Sequence, residues 1–448
     1  MKRLLKKLLS VNDCHIDEIE LDEENYQVHI HIKPLKRVRH RCSICGKKCI
    51  VYDHRPEVST WRHLDFCGFQ TFLHAALCRI ECSEHGVKTE AVPWASYGSR
   101  FTNLFESSVT FFVVRMNKVD VARVMNVNWR TVGSIIKRRK DMLEPDETLR
   151  LTNLRHIGID ETSYKKGHKY ITVVVDHDQN QVVWCHEGTG KEVLDQFFES
   201  LTQKQRDNIE ACSADGARWI KSCLDYWIPN CERCVDLFHV IEWATKAVDE
   251  TRIEAWRSIK SEELKLPKRK VGRPKTGEEV PEYAARTVHK SMKNVLQKGK
   301  ENLSENQMKK LESIQLLYPK VGKAYVYKEG LREVFKTVDA FIAEQALTRW
   351  IASACHCRIE PIVELSKKIR RHKEAILNTM RLKLSNARIE ATNNKIKVII
   401  RKAYGFRNIE NMKAMIMLVC SKLFNRIKTP REELLETKKQ FEQLSFSI

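Results

Sequence analysis

No stretch of apolar residues in this chain approaches the roughly 18 that a membrane-spanning helix needs, so a soluble protein is expected, with no membrane among its partners. A cleavable leader is missing as well: the opening MKRLLKKLLSVNDCHIDEIE carries charge, but its leucines are scattered and no small-residue cleavage site follows. Both absences favour the cytoplasm, where thiols stay reduced. The 15 cysteines, an odd number, therefore argue against a disulfide framework and for metal binding where they cluster. Acidic residues are scarce beside basic ones, 58 Asp and Glu against 79 Lys and Arg, which leaves a formal charge of +21. Such a surplus suits a polyanionic partner, and nucleic acid is the commonest one that a soluble basic protein meets.

What the chain does have is ample core material, 42% hydrophobic residues, in a length of 448 that exceeds what one core usually serves. Several domains are expected. The changes in pattern described below divide the chain into residues 1–95, 96–150, 151–239, 240–384 and 385–448.

Seven cysteines fall within the first 82 residues. Cys42-Ser43-Ile44-Cys45-Gly46 and Cys82-Ser83-Glu84-His85-Gly86 form a C-x-x-C and a C-x-x-H separated by a strand-rich stretch, which resembles a zinc ribbon. Two short knuckles ending in Gly let Cys42, Cys45, Cys82 and His85 converge on one tetrahedral structural Zn²⁺. Cys49 and Cys78 are close enough in sequence to replace one of the four. Cys231, Cys234, Cys355 and Cys357 lack a matching knuckle nearby and read as core or incidental thiols.

After Pro93 helix formers dominate. Val119 to Met125 has the apolar spacing of a short helix, Asn126-Val127-Asn128 a turn, and a second helix begins near Asn128 or Thr131 with Val132, Ile135 and Ile136 on its buried side. This is a helix-turn-helix pattern. It leaves Trp129, Arg130, Ser134, Lys137, Arg138 and Arg139 to face a groove and its phosphates.

Near residue 152 the period switches. Leu154–Asp160, Lys169–Asp176 and Gln181–His186 read as strands separated by short polar turns. A helix over 191–203, a strand over 209–213, a helix over 217–227 and a strand over 233–237 follow. Three antiparallel strands and then alternating helices and strands is the order of an RNase H-like fold, in which the first and fourth strands are neighbours. Asp160 would end the first strand and Asp215 follow the fourth. Two carboxylates so juxtaposed repel unless a cation lies between them, which points to divalent metal. A third acid, Glu390, opens a helix beginning Ser385-Asn386-Ala387-Arg388-Ile389, with Ile389, Ile396 and Ile400 as its apolar stripe and Asn394, Lys397 and Arg401 on the same face as the acid.

Taken together these residues resemble the DDE transposases of bacterial insertion sequences, in particular the ISL-three family. The resemblance covers essentially the whole chain. It is carried by the ribbon, by Gly158-Ile159-Asp160-Glu161, Ala214-Asp215-Gly216 and Asp236-Leu237-Phe238-His239, by the helix from Ser385 to Lys397, and by Arg401-Lys402-Ala403-Tyr404-Gly405-Phe406-Arg407-Asn408. One departure is His85, where a Cys is more usual. The resemblance implies that Asp160, Asp215 and Glu390 are catalytic and hold two Mg²⁺ (or Mn²⁺) ions, with Asp236 and His239 in support. It implies double-stranded DNA as substrate, both element ends and target, and a homodimer or higher oligomer on that DNA.

The fold expected is thus a multidomain α/β chain: a zinc ribbon, a helix-turn-helix, and an RNase H-like core interrupted by an all-α insertion. Helices are expected over 254–266, 287–298, 305–317 and 322–349, and a buried closing helix over 412–424. Within the insertion, the basic run around Arg269, Lys270, Arg273 and Lys275 resembles a minor-groove arm. Two other readings stay open on the sequence: a regulator that binds DNA without cutting it, and a nuclease that cuts without joining.

Overall fold

The computed structural model describes residues 2–9, 11, 13–263, 292–384 and 387–436. They divide into two compact units, one of residues 1–147 with 395–448, the other of residues 148–394. Among the described residues no helix is long and apolar enough to cross a membrane. The basic run at 266–275 and the Ser385-Asn386 helix start lie outside the described residues.

The first unit opens with helix α1 (Lys2–Leu8) and a sheet of β1 (Cys14–Asp22), β2 (Gln27–Pro34), β3 (Ile50–Arg62), β4 (Gln70–Cys82) and β5 (Gly86–Thr89). Strand order is β1-β2-β4-β3, with β5 pairing on β4. Alternation sorts Ile30, Ile32, Leu73, Ala75 and Leu77 onto one face, where they bury against Trp61 and Trp94. Three helices follow: α2 (Asn103–Val113), α3 (Lys118–Val124) and α4 (Trp129–Leu143). Each starts on a side-chain cap, Thr102, Asn117 and Asn128 respectively, that accepts an otherwise orphaned backbone amide. Asn126 takes φ +47°, the left-handed turn between α3 and α4. Val132, Ile135 and Ile136 are fully buried, as their spacing predicts.

The second unit is a five-stranded sheet with helices. Its strands are β6 (His156–Lys165), β7 (Lys169–Asp176), β8 (Gln181–Glu187), β9 (Ala211–Ala214) and β10 (Glu232–Val235), in the order β10-β9-β6-β7-β8. The first three are antiparallel, and β9 runs parallel to both β6 and β10. Helices α5 (Lys191–Glu199), α6 (Gln203–Asp207) and α7 (Arg218–Trp227) are interleaved. The single helix expected over 191–203 is two, because Thr202 and Gln205 form a capping box that starts α6 afresh.

From β10 the chain passes directly into α8 (Leu237–Glu263), then, beyond a helical turn at 292–296, into α9 (Glu305–Leu317), α10 (Pro319–Lys336), α11 (Ala340–Cys355), α12 (Glu360–Arg371) and α13 (Lys373–Leu382). The continuous helix expected over 322–349 is interrupted where Asp339 caps α11 by accepting the Ile342 amide. These helices share an apolar core that includes Val240, Ala244, Tyr325, Leu347 and Ile376. Helix α13 also covers the open edge of β10: Asn378 Nδ2 donates to the Arg233 carbonyl (3.2 Å) and Thr379 Oγ1 to that of Val235 (2.8 Å). Edge acceptors left bare would be costly or would invite another strand.

Helix α14 (Ala387–Lys402) begins in the second unit's residues and ends in the first's. Helix α15 (Ile409–Cys420) and a 3₁₀ turn over Lys422–Arg426 take the place of the closing helix expected over 412–424.

Candidate functional site

The knuckles of the ribbon bring their four donors together. Cys42 Sγ lies 3.7 Å from His85 Nδ1, Cys45 Sγ 3.7 Å from Cys82 Sγ, and Cys82 Sγ 3.6 Å from His85 Nδ1. Two sulfurs on a tetrahedral zinc would stand roughly 3.7 Å apart given its usual bond lengths, so the residues present fit that ion. Gly46 and Gly86 supply the left-handed turns, with φ +69° and +66°. Backbone amides then point at sulfur: that of Glu84 is the main cause holding the Cys82 thiol down at about 7, and those of Cys45 and Ile44 lower Cys42. Thiolate is the form a metal binds. Cys78 stands outside this cluster, and Cys49 bonds the Lys47 carbonyl at 3.3 Å.

On α4 the residues expected to face DNA separate into two groups. Trp129, Arg130, Ser134 and Lys137 are exposed. Three cations ring the Trp129 indole: Lys118 at 4.8 Å, Arg407 at 5.6 Å and Arg130 at 5.8 Å from its centroid. Lys118 and Arg407 were not anticipated, because only folding brings them to α4. Arg138 and Arg139 correct the expectation. Arg138 forks onto one oxygen of the buried Glu106 carboxylate (2.6 and 2.9 Å), and Arg139, 3% exposed, bonds Ser107. Both belong to the packing between α2 and α4, where Glu106 would otherwise be a bare buried charge.

The acidic residues of the second unit lie at one end of its sheet. Asp160 is not at a strand end as expected: β6 runs on to Lys165 in a hairpin with β7. It sits instead just past the last β6–β9 pairing, Gly158 with Ser213, while Asp215 directly follows β9. Burial raises the Asp160 carboxyl above its ordinary range and Asp215 adds to this, while the Glu161 amide, His239 and Asn393 pull the other way. Glu161 is raised by burial too, with both aspartates contributing.

Helix α14 is seated on this end of β6 by three contacts. Ile389, fully buried, occupies the space above Gly158, where a Cβ would come within 2.2 Å of its Cδ1 and 2.6 Å of His177 Nε2. Arg388 donates to the His177 carbonyl. Asn393 Nδ2 donates to Asp160 Oδ2 at 2.6 Å. The buried face is therefore Ile389, Thr392, Asn393, Ile396 and Ile399, not the expected Ile400, and Glu390, Asn394, Lys397 and Arg401 are exposed. Among the described residues the three carboxylates do not close into one cluster of mutual ligand spacing. Asn393 Oδ1 is buried with no hydrogen-bond partner beside Asp160, an acceptor left over in a place where like charges gather. That donor set of oxygens is what Mg²⁺ or Mn²⁺ takes.

Asp236 caps the start of α8, its Oδ1 accepting the Phe238 amide at 3.1 Å, and His239 Nδ1 faces Glu242 at 3.4 Å while its charge bears on Asp160. Beyond Asp215 an open groove of about 520 Å³ runs between α8 and α12, lined by Trp243, Lys246, Lys368 and Arg371 as well as Glu250 and Glu364. Lys368 Nζ rests 3.7 Å from the Trp243 ring centroid. Burial lowers its affinity for a proton and Asp215 restores part of it. Arg233 donates to the Asp215 carbonyl at 3.3 Å. No local motif marks these basic residues, which is why sequence inspection passed over them.

A five-stranded mixed sheet in this order, with acids beside its central strands, is an RNase H-like nucleotidyl-transfer core; with a ribbon and a helix-turn-helix on the same chain, the class is that of the DDE transposases. Residues 157–416 match the transposase domain of the ISL3 group, residues 90–139 the helix-turn-helix domain of transposase family ISL3, and residues 39–85 the zinc finger of the transposases of IS204, IS1001, IS1096 and IS1165. The transposase for insertion sequence element IS1557 of Mycobacterium tuberculosis is 38% identical over 423 residues, 93% of this chain and 95% of that protein. The transposase for IS1001 of Bordetella parapertussis is 26% identical over 414 residues, 91% of this chain and 96% of its own length. The chain belongs to the ISL3 family of transposases. It is a DNA-binding transposase enzyme.

Proposed function

We propose that the chain binds the terminal inverted repeats of an insertion sequence and carries out metal-dependent strand cleavage and strand transfer with Asp160, Asp215 and Glu390. The observation that carries this reading is the seating of α14: Ile389 against Gly158 and Asn393 on Asp160 bring the Glu390 helix to the same sheet end as both aspartates. Divalent Mg²⁺ or Mn²⁺, when bound, would activate the attacking oxygen and offset charge on the departing one. Asp160 and Asp215 would hold the ions, and Glu390 would complete their acidic surround. Asn393 fixes the rotamer of Asp160, and Asp236 and His239 support the turn that leads into α8. Lys246, Lys368 and Arg371 supply positive charge to the backbone of the strand entering beside Asp215.

In the first unit, Zn²⁺ on Cys42, Cys45, Cys82 and His85 holds the knuckles. Trp129, Arg130, Ser134 and Lys137 meet the duplex, with Lys397 and Arg401 as further phosphate contacts. The protein works in the cytoplasm as a homodimer or higher oligomer on DNA, since two ends must be handled together. The test is a strand-transfer assay using a pre-cut end, target plasmid and Mg²⁺. Joined products that vanish in Asp160→Asn, Asp215→Asn and Glu390→Gln support the reading. Cleavage without joining would make the chain a nuclease, and binding without either would make it a regulator.

A further inference from the structure

The ribbon carries a second group of metal-ligating side chains that the knuckles do not use. Ligand atoms of His40, Cys78 and Glu90 all lie within 4.8 Å of one another. Cys78 on β4 is paired directly with His54 on β3, so their side chains share a face, and Cys78 Sγ stands 3.2 Å from His54 Nδ1. His40 Nδ1 is 3.6 Å from Glu90 Oε2. That nitrogen is buried and has no hydrogen-bond partner. A tetrahedral zinc would hold a nitrogen and an oxygen roughly 3.3 Å apart, and a sulfur and a nitrogen roughly 3.5 Å apart, so each measured pair is within a few tenths of an ångström of the spacing required.

The Glu90 carboxylate is already aimed. Its Oε2 accepts the His40 amide at 2.7 Å and its Oε1 the Cys78 amide at 2.8 Å, which leaves one lone pair on each oxygen. Bonds of this kind orient a ligating carboxylate and are usual around metal sites. With its side chain 3% exposed, Glu90 is a buried acid that faces the His40 imidazole. A cation at this point would satisfy the carboxylate, the His40 nitrogen and the Cys78 sulfur together.

We propose that His40, Cys78 and Glu90 form a second structural metal site in the ribbon, with His54, which reaches Cys78 but lies outside the three-residue cluster, as the fourth ligand, taking a borderline-soft divalent ion of the zinc class. The mixed nitrogen, sulfur and oxygen set excludes Mg²⁺ and Ca²⁺, which take oxygen ligands. The ion ties the β3–β4 hairpin to the loop ahead of the first knuckle and to the segment after β5. It sits next to the Cys42 cluster without sharing a ligand with it.

The experiment measures zinc bound to the purified full-length chain by mass spectrometry of the metal, with the Co²⁺-substituted chain examined by absorption. Wild type holds two equivalents. Cys78→Ser and His54→Ala each hold one equivalent tightly and release the other to a competing chelator at least about tenfold more readily. In the cobalt form, Cys78→Ser loses the weaker thiolate charge-transfer contribution and keeps that of the three-thiolate knuckle site. His54 is exposed on its strand, so its replacement leaves the far-ultraviolet circular dichroism unchanged, and metal loss there reports the site and not the fold. A zinc-replete wild type with a single equivalent overturns the proposal and leaves Glu90 as a backbone clamp alone. So does a Cys78→Ser or His54→Ala chain that keeps both ions with wild-type affinity.

Discussion

The knuckles of the first unit and the acids of the second both offer side chains of metal-ligating type, yet they are assembled in opposite ways. The ligand atoms of Cys42, Cys45, Cys82 and His85 all lie within 4.8 Å of one another, three of the pairs at 3.6–3.7 Å, with amides already directed at sulfur. Asp160 and Asp215 sit beside adjacent parallel strands, burial and to a lesser extent Asp215 raise the Asp160 carboxyl, and Glu390 stays exposed on its own helix. Thiols and imidazole can pack closely before an ion arrives, whereas ionised carboxylates repel unless a cation or a proton lies between them. The first arrangement suits a permanent structural metal. The second suits ions that come and go with substrate.

Substitutions that break this comparison most severely come first. Asp160→Asn, Asp215→Asn or Glu390→Gln should each lower strand cleavage by about 1,000-fold or more, while binding to an end-containing duplex changes little in a mobility-shift assay. Normal cleavage by any one of them removes that residue from the proposed trio. Cys42→Ser or Cys82→Ser should release the knuckle zinc and cost the ribbon several kcal/mol, on the order of 3 or more, read as loss of the first thermal transition and of end binding. Because no acid of the proposed trio is touched, cleavage of a pre-bound, high-concentration substrate would persist in part.

A smaller effect is expected at Gly158. A methyl group there meets Ile389 and His177, so Gly158→Ala should strain the seat of α14 by about 1–3 kcal/mol and slow cleavage by roughly one to two orders of magnitude. A compensating Ile389→Val should restore part of that rate. Unchanged turnover in Gly158→Ala would mean that the position of the helix does not matter to the chemistry.

Proton linkage sharpens the contrast further. The folded chain binds a proton at Asp160 more tightly than the unfolded chain, so this residue favours folding below the ordinary carboxylate range. That contribution is lost as pH rises through its elevated folded value. At neutral pH the metal-free Asp160→Asn chain should therefore be more stable than wild type, by about 1 kcal/mol on the scale usual for relieved active-site strain. Added Mg²⁺ should raise the melting temperature of wild type only, and the Mg²⁺ needed for half-maximal cleavage should climb as pH falls toward the Asp160 range.

The smallest effects separate the two kinds of arginine and lysine on α4. Lys137→Ala should weaken end binding a few-fold and reduce the salt dependence by about one counterion. Arg139→Ala should leave that slope alone and lower stability instead, because Arg139 is buried on Ser107.

Local signals served well where the chemistry is local. Both knuckles, the Asn126 turn, the Asn128 cap and the buried trio Val132, Ile135 and Ile136 follow from spacing and residue type within a few positions. The strand sequence of the second unit was legible for the same reason, since alternation and turn residues act over short range. Edges were less so: β6 continues past Asp160 because its hairpin partner β7 supplies the pairing, and pairing is not visible in one strand.

What the sequence determined by itself is the inventory: thiols in paired knuckles, three acids at recognisable motifs, a cationic surplus and the order of elements. The tertiary structure alone decided which of these groups meet. It engaged Arg138 and Arg139 with Glu106 and Ser107 of α2 and placed Arg407 and Lys118 beside Trp129. It also set Lys368 and Arg371 near Asp215, and brought Ile389 over Gly158 and Asn393 to Asp160. The reason is physical: propensity and capping act through neighbours in the chain, while desolvation, close packing and charge pairing act through neighbours in space.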